Sequence, residues 1–275
     1  MLRRIVEYRA NKILYNFIVS NQLQGIAVLP VNICSDVVDT LMCAGMQVRY
    51  VDISPCTFCM DEEEVMAWVD KAKMILYVHT YGIENNPDDF FKRIKERNSD
   101  VVIVDDRCLC IPQQVKHSCA DVVLFSTGAK KVIDLGLGGM GYICDKWNYE
   151  NVHEPSGLLL DLDYKVDKNW FNDQYQISMS HKMRLNDIYR KNLPKKIQFS
   201  QNYQKWRFNI LVEDKNRVLQ AIFEDGLFAS GHYKPMENGF KMADSLYKHV
   251  INLFNDRYYS EEQAIRTCEI INNLN

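Results

Sequence analysis

From residue 26 to residue 145, short apolar runs alternate with amphipathic stretches. The runs are Ile26 to Leu29, Val48 to Val51, Met74 to His79, Val101 to Asp106 and Val122 to Phe125. They are continuously apolar rather than alternating, which marks strands buried on both faces. Helical spacing appears at Ile13, Leu14, Phe17 and Ile18, and the element closes at Gly25. Further helices are predicted over Asp36 to Met42, capped by Ser35 and stopped by Gly45, from Asp61 onward with acids in the first turn, and over Pro87 to Arg97. The pattern predicts a mainly parallel sheet with helices on both faces, over a large domain at 1–150. Residues 151–204 lose the alternation and read as an irregular, partly helical connection. A smaller α/β unit is predicted at 205–275: strands at Phe208 to Val212 and Leu227 to His232, and helices at Asp214 to Phe223, Ala243 to Phe254 and Ser260 to Leu274. Ser260 and Gln263 have the spacing of a capping box.

In parallel sheets, ligands bind at the carboxyl ends of the strands. The polar residues there are Asn32, His79, Asp105, Asp106 and Ser126, and Lys131 follows one of them. One stretch concentrates this chemistry. Val122 to Phe125 runs into Ser126, Thr127 and Gly128, then Lys130 and Lys131, then Gly136, Gly138 and Gly139. A lysine past a buried strand, beside a hydroxyl and before a glycine-rich turn, suits covalent attachment of a phosphorylated cofactor. Taken alone, Lys131 reads more readily as a solvated surface lysine, Ser126 serves a helix cap just as well, and Asp105 competes with Asp106 for any role at its strand end.

Composition narrows the class. The chain is 47% hydrophobic and 25% charged, as in an ordinary soluble globular protein. A net charge of -3 gives no field favouring nucleic acid. No apolar run approaches the ~20 residues that span a bilayer. Nine cysteines, several in apolar runs, suggest reduced thiols and a cytoplasmic protein. Cys56 and Cys59 have the spacing of half a zinc site, but no second pair matches it, and no metal is expected.

The stretch Phe125 to Gly139 resembles the Phe-Ser-(x)4-Lys-(x)4-Gly-Glu-Gly-Gly signature of the DegT/StrS-like sugar aminotransferases, which are fold-type-I enzymes dependent on pyridoxal 5'-phosphate (PLP). Four further segments are similar in the same order: Leu29 to Cys34, Tyr77 to Gly82, Val104 to Asp106, and Gly231 to Pro235. The resemblance implies an aspartate aminotransferase-like three-layer large domain with a small C-terminal α/β domain. It implies that Lys131 rather than Lys130 carries PLP covalently and shuttles a proton, that Asp106 faces the pyridine nitrogen, and that Ser126 holds phosphate. Asn32 and Asn11 fall at cofactor-binding positions of the template, and His79 and Tyr81 at substrate positions. It also implies a homodimer, with a nucleotide-linked keto sugar and glutamate as reactants in polysaccharide or amino-sugar synthesis.

Departures from the template are specific. Leu137 replaces the signature glutamate. Arg107, Cys108 and Leu109 stand where glutamine or histidine is usual. Asn32 or Cys34 stands where a large aromatic stacks on the ring, and Tyr8 to Asn11 lacks the glycine of the phosphate cup. The chain is also shorter than the pattern, before residue 8 and within 145–205. These departures motivate an alternative: a degenerate homologue that binds a sugar or a protein partner without transamination.

Overall fold

The structure, a computed structural model, describes residues 1–159, 162–165 and 168–274, without the side chains of 168–170. The first elements are β1 (Leu2–Glu7), α1 (Ala10–Ser20), β2 (Gly25–Pro30), α2 (Ser35–Cys43), β3 (Met46–Val51), α3 (Glu62–Met66) and β4 (Ala72–Val78). They are followed by α4 (Asp88–Arg97), β5 (Val102–Asp106), β6 (Val122–Ser126), β7 (Gly139–Cys144) and the long helix α5 (Lys168–Asn192). The chain ends with β8 (Phe208–Leu211), α6 (Lys215–Glu224), β9 (Ala229–Ser230), α7 (Lys241–His249), β10 (Val250–Leu253) and α8 (Glu261–Leu274).

Seven strands form one sheet in the order β1-β7-β6-β5-β4-β2-β3. Strands β2 to β6 pair in parallel, as their unbroken apolar character requires. Helices α1 and α2 bury Ile13, Leu14, Phe17, Val38 and Leu41 on one face. On the other face lie Val65 of α3 and Phe90, Phe91 and Ile94 of α4. The layered α/β architecture with a mainly parallel sheet is therefore present.

Topology gathers the polar ends on one edge. Strand β7 runs antiparallel to β6, so Gly139 pairs with Ser126 at the carboxyl end of β6. Strand β1 runs antiparallel to β7, so Glu7 also lies opposite Gly139. The chain then enters α1 from the same edge. Gly139 has no room for a side chain: a Cβ there would lie 2.2 Å from the Ala10 nitrogen and 2.5 Å from the Arg9 carbonyl carbon.

Strand β1 was not anticipated. Its two arginines break the apolar run, and it is only half-buried at the sheet edge. The helix expected over Ala243 to Phe254 stops at His249, and Val250–Leu253 is a strand. Those four residues are fully buried between β8 and β9, and tertiary pairing overrides local helical spacing there. The expected strand over Leu227 to His232 shrinks to Ala229–Ser230. The capping box of α8 forms: Gln263 N–H donates to Ser260 Oγ (3.1 Å), and Ser260 N–H to Gln263 Oε1 (2.8 Å).

Strands β8, β10 and β9 form a second sheet with α6 and α8 beside it. This unit is tied to the large sheet near the polar edge. Asp52, just past β3, caps α7 by accepting from Met242 N–H (2.9 Å) and Ala243 N–H (3.0 Å). Met236 N–H donates to the Val31 carbonyl (2.9 Å). Within the unit, buried Lys182 of α5 donates to the Trp206 carbonyl (3.1 Å) and Asn255 Oδ1 (2.9 Å).

Two consequences are measurable. Gly139→Ala forces backbone against backbone and should destabilise the fold by about 3 kcal/mol, the upper part of the overpacking range, read as a lower thermal midpoint. Burial, and then the neighbouring Arg207 charge, push the Lys182 amine down to about 7. The unfolded lysine keeps its proton to much higher pH, so between pH 7 and 10 the unfolded chain binds more protons than the folded one. The Lys182 contribution to stability therefore rises with pH across that window. Unfolding in denaturant at pH 7 and pH 9 should show wild type gaining on Lys182→Met as pH rises.

Candidate active site

At the carboxyl edge of the sheet is a cavity of about 240 Å³. Five segments of the large-sheet unit line it: the start of α1 (Arg9, Ala10, Asn11), the β2–α2 turn (Ile33, Cys34), the end of β4 (Val78), the end of β5 and the residues after it (Asp106, Cys108), and the turn after β6. The last contributes Ser126, Gly128, Lys131 and Gly138, and Tyr233 enters from the small-sheet unit.

The turn after β6 is held by its own backbone. Ala129 N–H donates to the Gly136 carbonyl (3.1 Å), Leu135 N–H to Thr127 (2.8 Å), and Gly138 N–H to Tyr8 (2.7 Å). Gly138 has φ +117, and a Cβ there would meet Thr127 Oγ1 at 2.1 Å. The glycines thus let the turn fold back against both β6 and the approach to α1. Lys131 is half-buried, and its amine is absent from every hydrogen bond and ion pair among the described residues.

Asp106 is 6% exposed, and its carboxylate accepts one hydrogen bond, from Cys108 N–H (2.9 Å). Ser126 Oγ accepts from Gly128 N–H (3.2 Å). Helix α1 opens at the cavity with Arg9 as N-cap, no side-chain cap and no acid in its first turn. Its first backbone N–H groups have no partner within the helix. Burial pushes the Cys34 and Cys108 thiols and the Tyr233 phenol up, so these walls are neutral at physiological pH.

Of the residues singled out in the sequence, Lys131, Asp106, Ser126 and Asn11 meet at this cavity. The Asn11 side-chain amide donates to the carbonyl of Asp36, another lining residue (3.1 Å). Asn32, His79 and Tyr81 do not line it. Successive residues of β5 point to opposite faces, so Asp105 turns away from the cavity that Asp106 faces. There, Asp105 binds His79 Nε2 (2.8 Å) and Arg107 Nε (2.8 Å). Burial raises the Asp105 carboxyl, but His79 and Arg107 together outweigh it and hold the group below its ordinary range. His79 Nδ1 contacts the Ile83 carbonyl (2.8 Å), so both ring nitrogens are engaged in structure. Tyr81 is buried, donates to the His232 carbonyl (2.5 Å) and stacks on Trp206. The Asn32 amide is buried with no partner among the described residues. Ile33 and Cys34, the next two residues, reach the cavity instead. Cys56 is exposed and Cys59 buried, and no group of three or more His, Cys, Asp or Glu suited to a metal occurs among the described residues.

The fold has close counterparts among solved structures. A DegT/DnrJ/EryC1/StrS aminotransferase from Brucella abortus superposes with a TM-score of 0.75 at 15% identity, covering 99% of this chain and 86% of that one. DesI, solved in the presence of its TDP-sugar product, gives 0.78 at 13% identity, covering 98% and 79%. NtdA from Bacillus subtilis, with bound cofactor PMP, gives 0.73 at 17% identity, covering 98% and 73%. No curated protein matches by sequence. The family pattern of the DegT/DnrJ/EryC1/StrS aminotransferases matches residues 28–190, a span that holds both Asp106 and Lys131. By that match the chain belongs to the DegT/DnrJ/EryC1/StrS aminotransferase family.

Proposed function

We propose that this chain transfers an amino group from glutamate to a keto sugar carried on a nucleotide, as a homodimer, with PLP held at the cavity around Lys131. The observation that carries the reading is a lysine amine without a partner among the described residues, sharing one cavity with a carboxylate that no cation of the described residues neutralises.

The donor set suits the cofactor. The start of α1 offers free N–H groups and a positive dipole to a phosphate, with Arg9 at the rim, and Ser126 Oγ can exchange its long contact to the Gly138 carbonyl (3.4 Å) for one to the phosphate. Asp106 offers a carboxylate to a ring N–H. When bound, PLP supplies an aldehyde and a ring that takes up electron density. Lys131 would hold the aldehyde carbon through Nζ and, once released, move the proton at the substrate carbon. Asp106 would keep the ring nitrogen protonated. Ser126 and α1 would fix the phosphate. The neutral Cys34, Cys108 and Tyr233 walls would keep water from the reacting groups. The sugar assignment is supported by the family and by the TDP-sugar product present with DesI, and the PLP assignment by the PMP bound to NtdA. Among the described residues no helix is long and apolar enough to cross a membrane.

A second reading, ligand binding without transamination, is favoured by one observation. Cys34 and Cys108 occupy wall positions where the family template has a stacking aromatic and a glutamine or histidine, and neither thiol stacks on a ring.

The test is formation of 2-oxoglutarate from glutamate with PLP and a panel of nucleotide-linked keto sugars. Turnover is expected with at least one sugar, none in Lys131→Ala, and a loss of about a hundredfold or more in Asp106→Asn. No turnover with any sugar, or turnover surviving Lys131→Ala, would remove the proposal and leave the binding reading.

A further inference from the structure

Lys130 is the hinge of the lysine-bearing turn. Its φ is +63, in the left-handed region that residues with a side chain rarely occupy. Nothing about a lysine favours that conformation, so its surroundings must impose it. Two contacts do so, one on each side of the residue. Lys130 N–H donates to Asp134 Oδ2 (2.8 Å), and the other oxygen of that buried carboxylate accepts from Gly136 N–H (2.8 Å). The Lys130 carbonyl accepts from the indole Nε1–H of Trp206 (2.9 Å). That carbonyl belongs to the peptide unit whose nitrogen is Lys131. With Lys131 N–H bonded to the Gly128 carbonyl (3.2 Å), the indole contact fixes the plane from which the Lys131 side chain departs.

Trp206 comes from outside the large sheet. It lies just before β8, is 4% exposed, and does not line the cavity. Its ring stacks between Tyr81 (6.3 Å, 3°) and Tyr233 (6.3 Å, 5°), so its hydrogen-bonding edge cannot drift. Tyr81 belongs to the large unit, and Tyr233 to the cavity wall. A buried indole N–H needs an acceptor, and many would serve. This one finds the single carbonyl whose rotation would swing Lys131 out of line.

We propose that Trp206 is a positioning residue for Lys131, acting with Asp134 to hold Lys130 left-handed, so that seating of the small-sheet unit sets the aim of the lysine. The inference rests on the proposed role of Lys131. It adds that the lysine is productive only while the C-terminal unit is docked.

Trp206→Phe keeps a six-membered aromatic ring in the stack and deletes the donor together with the five-membered ring that carries it. Two readouts follow the full chain. Amide exchange in the 128–136 segment needs no cofactor and reports the turn directly. Borohydride fixation of PLP, quantified by peptide mass, reports the aim of Lys131 against surface lysines in the same sample. Trp206→Phe should raise exchange at residues 130 and 131, and cut fixation at Lys131 by about tenfold, the scale of a left-handed residue left unsupported. Adding Lys130→Gly should restore most of the fixation, since glycine takes positive φ without support. A structural role for Trp206 alone would not be rescued this way. If Trp206→Phe loses its folded thermal transition, Asp134→Ala, which removes both acceptor oxygens, replaces it. That variant leaves the small-sheet contacts in place and should give the same loss and the same rescue. Unchanged exchange at 130 and 131, or fixation lost but not restored by Lys130→Gly, overturns the positioning role. If wild type shows no selective fixation at Lys131, the proposed function fails instead, and the exchange readout still decides the clamp.

Discussion

The site depends on one close approach. The start of β7 lies against the first turn of α1 with no space for a side chain at Gly139. That contact brings three unlike things to one edge of the sheet: the free N–H groups of a helix start, the hydroxyl ending β6, and the turn that carries Lys131. The last two follow one another in the chain, and the two antiparallel pairings at this end of the sheet deliver the helix start to them. Had β1 and β7 continued the parallel order, the helix would begin at the far edge, and the lysine turn would face no anion-binding group.

The second constraint is electrostatic. Asp106 and Lys131 sit among groups that burial keeps neutral, Cys34, Cys108 and Tyr233. Neither makes an ion pair with any described residue. The neighbouring Asp105 shows the contrast, because on the opposite face of the same strand it is saturated by His79 and Arg107. One carboxylate of the pair is spent on holding the strand end and the turn at Tyr81, and the other is left for a ligand. Loss of the His79 contact would therefore act on the fold near the site rather than on the chemistry.

Much of this was legible in the sequence, for physical reasons. Parallel strands buried on both faces need unbroken apolar runs, and those runs placed β2 to β6. Caps are local, so the Ser260 box could be read directly, although Ser35, expected to cap α2, is its first residue and Cys34 holds the N-cap position without a side-chain bond. What failed was non-local. Strand β1 pairs through its backbone at an edge, where Arg3 and Arg4 carry no strand signal. Val250–Leu253 looks helical in continuation of α7 and becomes a central strand through partners forty residues back in sequence. At the site, residue type and position marked Lys131, Asp106 and Ser126 as candidates beside Lys130 and Asp105, the family resemblance chose among them, and the three chosen residues share the cavity. The resemblance put Asn32, His79 and Tyr81 at cofactor and substrate positions, yet none of them lines the cavity, because strand-end position alone does not say which way a side chain turns. The indole of Trp206 gave no signal at all, since its contact spans seventy-six residues and meets main chain rather than a side chain.

The most direct test of the account is a crystal structure determined after soaking with PLP. The account predicts density continuous with Lys131 Nζ, a phosphate between Ser126 and the start of α1, and a ring nitrogen within hydrogen-bonding distance of Asp106. A free Lys131 amine with the cofactor absent, or bound away from Asp106, would contradict it.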